Sequence, residues 1–89
     1  MNTNISTAMQ PIFDKLQVNP VDFKYFEKLN KFISAESINL YGDSANYVIV
    51  ININNDIGTV LLGTTDGVTF HETSLLGQIV LKNNEWKIL

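Results

Sequence analysis

The stretch N-Y-V-I-V-I-N-I, residues 46–53, constrains the fold of this chain more than any other segment. Its apolar side chains alternate in position, and successive residues of an extended strand point to opposite faces of a sheet. One face would be apolar throughout, with Tyr47, Ile49, Ile51 and Ile53. The other would be apolar only at its start, with Val48 and Val50 followed by Asn52 and Asn54. The pattern predicts a central β-strand.

The period of two continues to the end of the chain, interrupted by turn signals rich in asparagine, aspartate and glycine. The predicted turns are 54–56, 65–67 and 83–84, and the other predicted strands are 59–63, 68–72, 78–82 and 85–89. The stretch G-T-T-D-G at 63–67 has strands on both sides. It therefore predicts a hairpin turn, since a phosphate-binding loop would lead into a helix.

The N-terminal third has a helical spacing. Apolar residues three or four positions apart predict a first helix at about residues 4–17, with a stripe of Ile5, Met9, Ile12, Phe13 and Leu16. The pair Asn19-Pro20 ends this helix, because the residue before a proline avoids helical backbone angles. A second helix is expected from Pro20 to Ile33, with Phe23, Phe26, either Leu29 or Asn30, and Ile33 on one face, and Lys24, Lys28 and Lys31 on another.

The expected fold class is therefore α+β, with two N-terminal helices packed on an antiparallel sheet of about five strands. A chain of 89 residues has apolar mass for one core, so residues 1–89 are expected to form a single domain. The chain has no cysteine, which excludes a disulfide framework and a thiolate zinc site. Its first residues lack the pattern of a signal peptide, and no apolar run is long enough to span a bilayer. A cytoplasmic protein is expected.

Charge is divided unevenly along the chain. Residues 1–35 contain four lysines and three carboxylates, whereas residues 36–89 contain two lysines and six carboxylates, a net charge of −4. An acidic surface repels the phosphates of nucleic acid and attracts a basic partner. The sequence thus predicts no direct nucleic-acid binding and a protein partner.

Residue types that carry catalysis are few. His71 is the single histidine, without a second histidine to complete a metal site or a catalytic triad, so we expect a histidine on a strand surface. Trp86, in the last strand, is expected to close the core. The sequence predicts a protein that is not an enzyme and that has no cofactor and no metal.

The short segment Glu36-Ser37-Ile38 is too polar for a core strand, and one interpretation is an ordinary edge strand. The segment also resembles the phage-encoded uracil-DNA glycosylase inhibitors, in which a Glu-Ser-Ile strand imitates the DNA backbone. The C-terminal pattern is similar too: T-V-L-L-G-T-T-D, then Q-I-V-L-K, an Asn-Asn turn and a final K-I-L. The resemblance covers about half the chain.

The resemblance implies a non-catalytic inhibitor, encoded by a phage or mobile element, whose acidic face binds a basic DNA-binding enzyme. It implies that Glu36 imitates a phosphate and that Ser37 forms a hydrogen bond beside Ile38. Asp43 and Asp56 would add negative charge to the contact surface. It also implies an apolar pocket for a residue of the partner, lined by Val48, Val50, Val60 and Leu62.

Other functions remain open at this point. The target could be another defence nuclease or a toxin, which would make the chain an immunity protein. Alternatively, the chain is a small ligand-binding module with a shortened cone-like α+β fold, whose pocket would be lined by Phe23, Phe26, Tyr47 and Trp86. The sequence is compatible with a monomer and with a homodimer, since an edge strand can also pair with a second copy.

Overall fold

The computed structural model describes residues 5–40 and 46–89. Its helices and strands are α1 (Ile5–Ala8), α2 (Gln10–Leu16), β1 (Phe23–Phe26), β2 (Lys31–Ser34), β3 (Tyr47–Asn54), β4 (Ile57–Thr65), β5 (Phe70–Lys82) and β6 (Glu85–Ile88). The strands form one six-stranded sheet in the order β1-β2-β3-β4-β5-β6, each antiparallel to the next. The sheet curls into a half-barrel.

Strand β3 confirms the predicted central strand. It pairs with β4 over its whole length, from Tyr47 opposite Thr64 to Asn54 opposite Ile57. Ile49 lies opposite Leu62, and Ile51 lies opposite Val60. These four side chains belong to the hydrophobic core that the helices complete, so we call this face of the sheet the inner face.

The inner face is covered by the N-terminal helices. The buried side chains of this core are Ile5, Ala8, Met9, Ile12, Phe13, Phe32, Ile38, Leu40, Ile49, Ile51, Val60, Leu62, Ile79 and Trp86. The apolar stripe predicted for a first helix is thus buried, except that Leu16 at its end is partly buried, and Trp86 closes the core as predicted. The opposite face of the sheet, which carries Val48, Val50 and Leu61, is called the outer face below.

The predicted first helix is divided into two segments. Met9 separates α1 from α2, with Pro11 in the first turn of α2. The helix ends earlier than Asn19-Pro20 requires, because Gln17 adopts a left-handed conformation with φ of 59° and caps the helix through its backbone N–H. The two helical segments have only four and seven residues.

The predicted second helix is wrong. The segment from Phe23 to Ser34 is a β-hairpin, in which Phe23 lies opposite Ser34 and Phe26 lies opposite Lys31. The apolar residues of this segment fit a spacing of three to four, but Phe23 and Tyr25 also stand on either side of Lys24 at a spacing of two. Phe32 pairs with Ile51 of β3, which places a third strand beside residues 23–34. This pairing favours the hairpin over the helix.

Asn30 holds the turn of this hairpin and joins it to β3. It adopts a left-handed conformation with φ of 53°, which asparagine tolerates better than most residues. The Tyr25 hydroxyl donates to Asn30 Oδ1 at 2.7 Å, and Asn30 Nδ2 donates to the carbonyl of Ile53 at 2.9 Å. The lysines expected on a helix face lie elsewhere: Lys24 and Lys31 are on strands and Lys28 is in the turn.

Strand β5 replaces two predicted strands. The segments 68–72 and 78–82 were expected to be separate, but Phe70–Lys82 is one strand of 13 residues. Its pairing with β4 shifts twice, between Val60 and Leu61 and between Leu62 and Gly63. These shifts are β-bulges, which increase the local bend of a strand and so help the sheet to curl.

The α+β expectation is therefore wrong as a description of the whole fold. The described residues form mainly an antiparallel sheet, and the two helices are short and cover one face of it. The sheet has six strands and not about five, because the predicted second helix supplies two of them. In residues 5–40 and 46–89, no helix has the length and apolar character needed to cross a membrane.

Ser34 continues the β2–β3 pairing with its side chain. The backbone N–H of Ile49 donates to Ser34 Oγ at 3.1 Å, and both residues are buried. Ser34→Ala would leave this N–H without an acceptor, so we expect the free energy of unfolding to fall by about 2 kcal/mol. Urea unfolding followed by circular dichroism measures this loss.

The control for Ser34→Ala is Ser74→Ala, on an exposed part of β5. This change is expected to alter the free energy of unfolding by less than about 0.5 kcal/mol. Equal values for the two variants would show that the Ser34 hydrogen bond contributes nothing measurable.

Candidate functional site

The segment Glu36-Ser37-Ile38 lies between β2 and β3, and the core holds it at one point. Ile38 forms an isolated bridge with Tyr47, to whose carbonyl its backbone N–H donates at 2.8 Å. Its side chain is only 4% exposed. Glu36 and Ser37 precede this anchor and are exposed. The segment is therefore not the edge strand of the first interpretation, since one bridge is its only strand pairing within the described residues.

An open groove of about 310 Å³ runs beside this segment. One wall is the connection that follows α2 and the other is the segment after β2; the lining residues are Gln17, Val18, Asn19, Val21, Glu36, Ser37, Ile38 and Asn39. We call this cavity the Glu36 groove. Its walls combine short apolar side chains with amide, hydroxyl and carboxylate oxygens, which accept hydrogen bonds from a cationic side chain such as arginine.

The β1–β2 hairpin brings the backbone of a second acidic residue beside this segment. The backbone N–H of Ala35 donates to the carbonyl of Asp22 at 2.8 Å, next to Glu36 in the chain. Asp22 is exposed and adjoins Val21 of the groove. Local spacing does not predict this contact, because it predicts a helix from Pro20 with Asp22 in its first turn, and that helix does not form.

The other predicted contact carboxylates do not join this site. Asp56 lies in the turn between β3 and β4, at the opposite end of β3 from the Ile38 bridge. Tyr47 and Asn54, the ends of β3, are seven positions apart, which is about 23 Å along an extended strand. Asp43 lies outside the described residues.

The four residues of the predicted apolar pocket lie on two faces of the sheet. Val60 and Leu62 belong to the buried core on the inner face. Val48 and Val50 belong to the outer face, opposite Gly63 and Leu61. They therefore do not line one cavity, because side chains one residue apart on paired strands point to opposite sides.

The four residues expected to line the pocket of a cone-like ligand-binding module do not surround one cavity either. Trp86 is buried in the core, and Phe23 and Tyr47 pack partly buried against it. Phe26 is 42% exposed and alternates with Tyr25 along β1, which places it on the outer face. The aromatic side chains that would surround a ligand instead fill the core or point away from it.

His71 is exposed on β5, as predicted for a histidine on a strand surface. In the described part of the chain, no three acidic or histidine side chains come together in an arrangement that could hold a metal ion.

The turn predicted at 65–67 is the loop between β4 and β5, and hydrogen bonds define its shape. Asp66 Oδ1 accepts from the backbone N–H groups of Val68 and Thr69, both at 2.8 Å. The bonds from Thr69 and Val68 favour the ionised carboxylate and lower the pKa of Asp66 below its ordinary value. Thr65 Oγ1 accepts from the N–H of Gly67 at 3.0 Å.

Comparison of this chain with models of protein families, with curated proteins and with solved structures finds no match.

Proposed function

We propose that this protein is a non-catalytic inhibitor that binds a DNA-handling enzyme through the Glu36 groove. The observation that carries the proposal is the position of Glu36 and Ser37. Both are exposed on the wall of a groove, one and two residues from the buried anchor Ile38. The resemblance to uracil-DNA glycosylase inhibitors supports the same segment as the contact and a uracil-DNA glycosylase as the first target to test.

The anchor contributes to affinity by restricting the free segment. A surface carboxylate on an unrestrained loop loses conformational freedom when it binds, and this loss weakens the complex. Ile38 is held by its side chain in the core and by its hydrogen bond to Tyr47. Glu36 and Ser37 therefore approach a partner from a limited range of positions, which favours a defined contact.

The charges near the groove fit the surface of a DNA-binding enzyme. Such an enzyme presents lysine and arginine side chains where DNA phosphates would lie. Glu36 offers a carboxylate on the groove wall, and arginine binds a carboxylate through two parallel hydrogen bonds. In this proposal the protein acts in the cytoplasm, is encoded by a phage or mobile element and makes no direct contact with nucleic acid.

The test is inhibition of uracil excision by a purified uracil-DNA glycosylase at micromolar inhibitor. We expect stoichiometric inhibition by the native chain. We expect Glu36→Ala to weaken inhibition by about tenfold or more, because a cation of the enzyme loses its partner. Inhibition should also weaken as salt concentration rises.

The matched control is Asp56→Ala, which removes a carboxylate at the far end of β3. It is expected to leave inhibition within about twofold of the native value, a change of less than 0.5 kcal/mol. Equal losses for Glu36→Ala and Asp56→Ala would point to a general charge effect and overturn the Glu36 groove as the contact. No inhibition by the native chain at micromolar concentration would exclude this enzyme class as the target.

A further inference from the structure

The outer face of the sheet contains a second groove, away from the helices. This cavity of about 250 Å³ lies between the β1–β2 hairpin and the β4–β5 loop. Its lining residues are Leu29, Lys31, Ile33, Val50, Thr65, Gly67, Val68, Thr69 and Phe70. We call it the outer groove. The apolar side chains of Ile33, Val50 and Phe70 come from three different strands, so the sheet itself forms the groove.

One rim of the outer groove is the β4–β5 loop, which exposes an apolar side chain. Val68 is 93% exposed. The loop is held by the Asp66 carboxylate, which accepts from the N–H of Val68 itself and from that of Thr69. A β-branched side chain has restricted rotation about χ1, so on a hydrogen-bonded loop it loses less conformational freedom when a partner covers it.

The other rim is the turn of the β1–β2 hairpin, which exposes a second apolar side chain. Leu29 is 56% exposed. The next residue, Asn30, bonds to the Tyr25 hydroxyl and to the carbonyl of Ile53, so this turn is also held in place. Leu29 and Val68 therefore face the same groove from two restrained turns.

The hairpin rim carries positive charge. Lys31 lines the groove, Lys28 precedes Leu29 in the turn, and Lys24 lies opposite Ile33 on the outer face. Glu27 is the carboxylate of this turn. On the loop rim, the Asp66 carboxylate is occupied by two backbone N–H groups.

Glu72 is a further carboxylate near the outer groove. It lies two residues beyond Phe70 on β5, opposite Gly63 and on the loop side of the groove. The hairpin side of the groove thus has an excess of cations, although the whole chain has a net charge of −3.

We propose that the outer groove binds a short segment of a partner protein that combines aliphatic side chains with carboxylates. The aliphatic groups would contact Ile33, Val50 and Phe70 between the two apolar rims. The carboxylates would lie against the lysines of the hairpin. A second copy of this chain is the competing occupant, since one face of a protein can pair with itself about a twofold axis. The proposal is independent of the Glu36 groove.

The probes are three short synthetic peptides of equal length, which alternate leucine with glutamate, leucine with lysine, and serine with glutamate. Fluorescence anisotropy measures their binding to the native chain. We expect the leucine–glutamate peptide to bind at least about tenfold more tightly than either of the others, since each of those lacks one of the two interactions. Equal binding of the leucine–lysine peptide, or no binding of any peptide, would overturn the proposal.

The variants Leu29→Glu and Val68→Asp test the rims. Both positions are exposed, so the fold should persist, which circular dichroism checks. Each is expected to weaken leucine–glutamate binding by about tenfold or more, whereas Leu89→Asp, at an exposed position outside the groove, should not. The charge reversal Lys31→Glu should shift the preference towards the leucine–lysine peptide.

Light scattering tests the competing occupant. A native chain that is monomeric agrees with the proposal. A dimer that Val68→Asp separates into monomers would show that a second copy covers the outer groove, and would overturn the proposal of a heterologous acidic segment.

Discussion

Phe13→Ala is expected to lower the free energy of unfolding by about 4 kcal/mol. The Phe13 side chain is 0% exposed and is among the largest of the fully buried side chains. It stacks on Phe23 with ring centroids 6.3 Å apart, and so joins α2 to the edge strand β1. Alanine would remove the apolar area and leave a cavity between the helices and the sheet. A domain of this size has a total stability of roughly 5–10 kcal/mol, so the loss is a large part of it.

Urea unfolding measured by Trp86 fluorescence follows this change, because Trp86 lies in the same core. The matched control is Lys15→Ala, on an exposed position of the same helix. It is expected to change the free energy of unfolding by less than about 0.5 kcal/mol. A loss of less than about 1 kcal/mol for Phe13→Ala would mean that the helices do not pack on the sheet as described.

Gly63→Ala is expected to lower the free energy of unfolding by about 3 kcal/mol. A Cβ at position 63 would overlap the carbonyl oxygen of His71 and the ring of Phe70 on the neighbouring strand. The ring can turn aside, but the carbonyl oxygen belongs to the backbone of β5. Relief of that overlap requires the two strands to separate at a β-bulge, and this disturbs their hydrogen bonds.

The loss of stability that the His71 carbonyl causes in Gly63→Ala can be separated from the loss that the Phe70 ring causes. In a Phe70→Ala background, Gly63→Ala is expected to keep at least about half of its effect, because the overlap with the His71 carbonyl remains. Gly67→Ala is the control for a glycine with open space around it: its φ of 91° is unfavourable for alanine, but no atom obstructs the new methyl group. It is expected to cost about 1 kcal/mol. An unchanged free energy of unfolding for Gly63→Ala would show that β4 and β5 are more widely spaced at this point.

The candidate site was predictable in part. The resemblance directed attention to Glu36 and Ser37, and the structure places both on one groove. The other wall of that groove, from Gln17 to Val21, follows from the left-handed end of α2 and from the return of the chain into β1. The contact between the backbones of Asp22 and Ala35 could not be predicted, since it depends on a hairpin that local spacing did not reveal.

The outer groove also could not be predicted from local sequence patterns. Leu29 and Val68 are 39 positions apart in the chain, and neither position has a distinctive sequence pattern. They face one cavity because β2 pairs with β3, β3 with β4, and β4 with β5. Such long-range contacts depend on the whole sheet and are not visible in a window of a few residues.

The sequence by itself determined the strands whose alternation and turns agree. Strand β3 follows from its period of two, and the turns before β4 and β6 contain asparagines that adopt the left-handed conformation, Asn55, Asn83 and Asn84. The buried stripe of the N-terminal helices follows from its own spacing. In each of these segments the spacing of apolar residues fits only one type of secondary structure with its apolar side inward, a strand for β3 and a helix for the N-terminal segments.

Only the tertiary structure decided the state of residues 20–33 and the face on which each valine lies. A helix and a hairpin both bury apolar residues of that segment, and the hairpin prevails because Phe32 and Ile33 pair with β3. Val50 and Val60 are equally apolar, yet strand register directs one to the outer face and the other into the core. Where two local conformations bury similar apolar area, contacts with distant strands select between them.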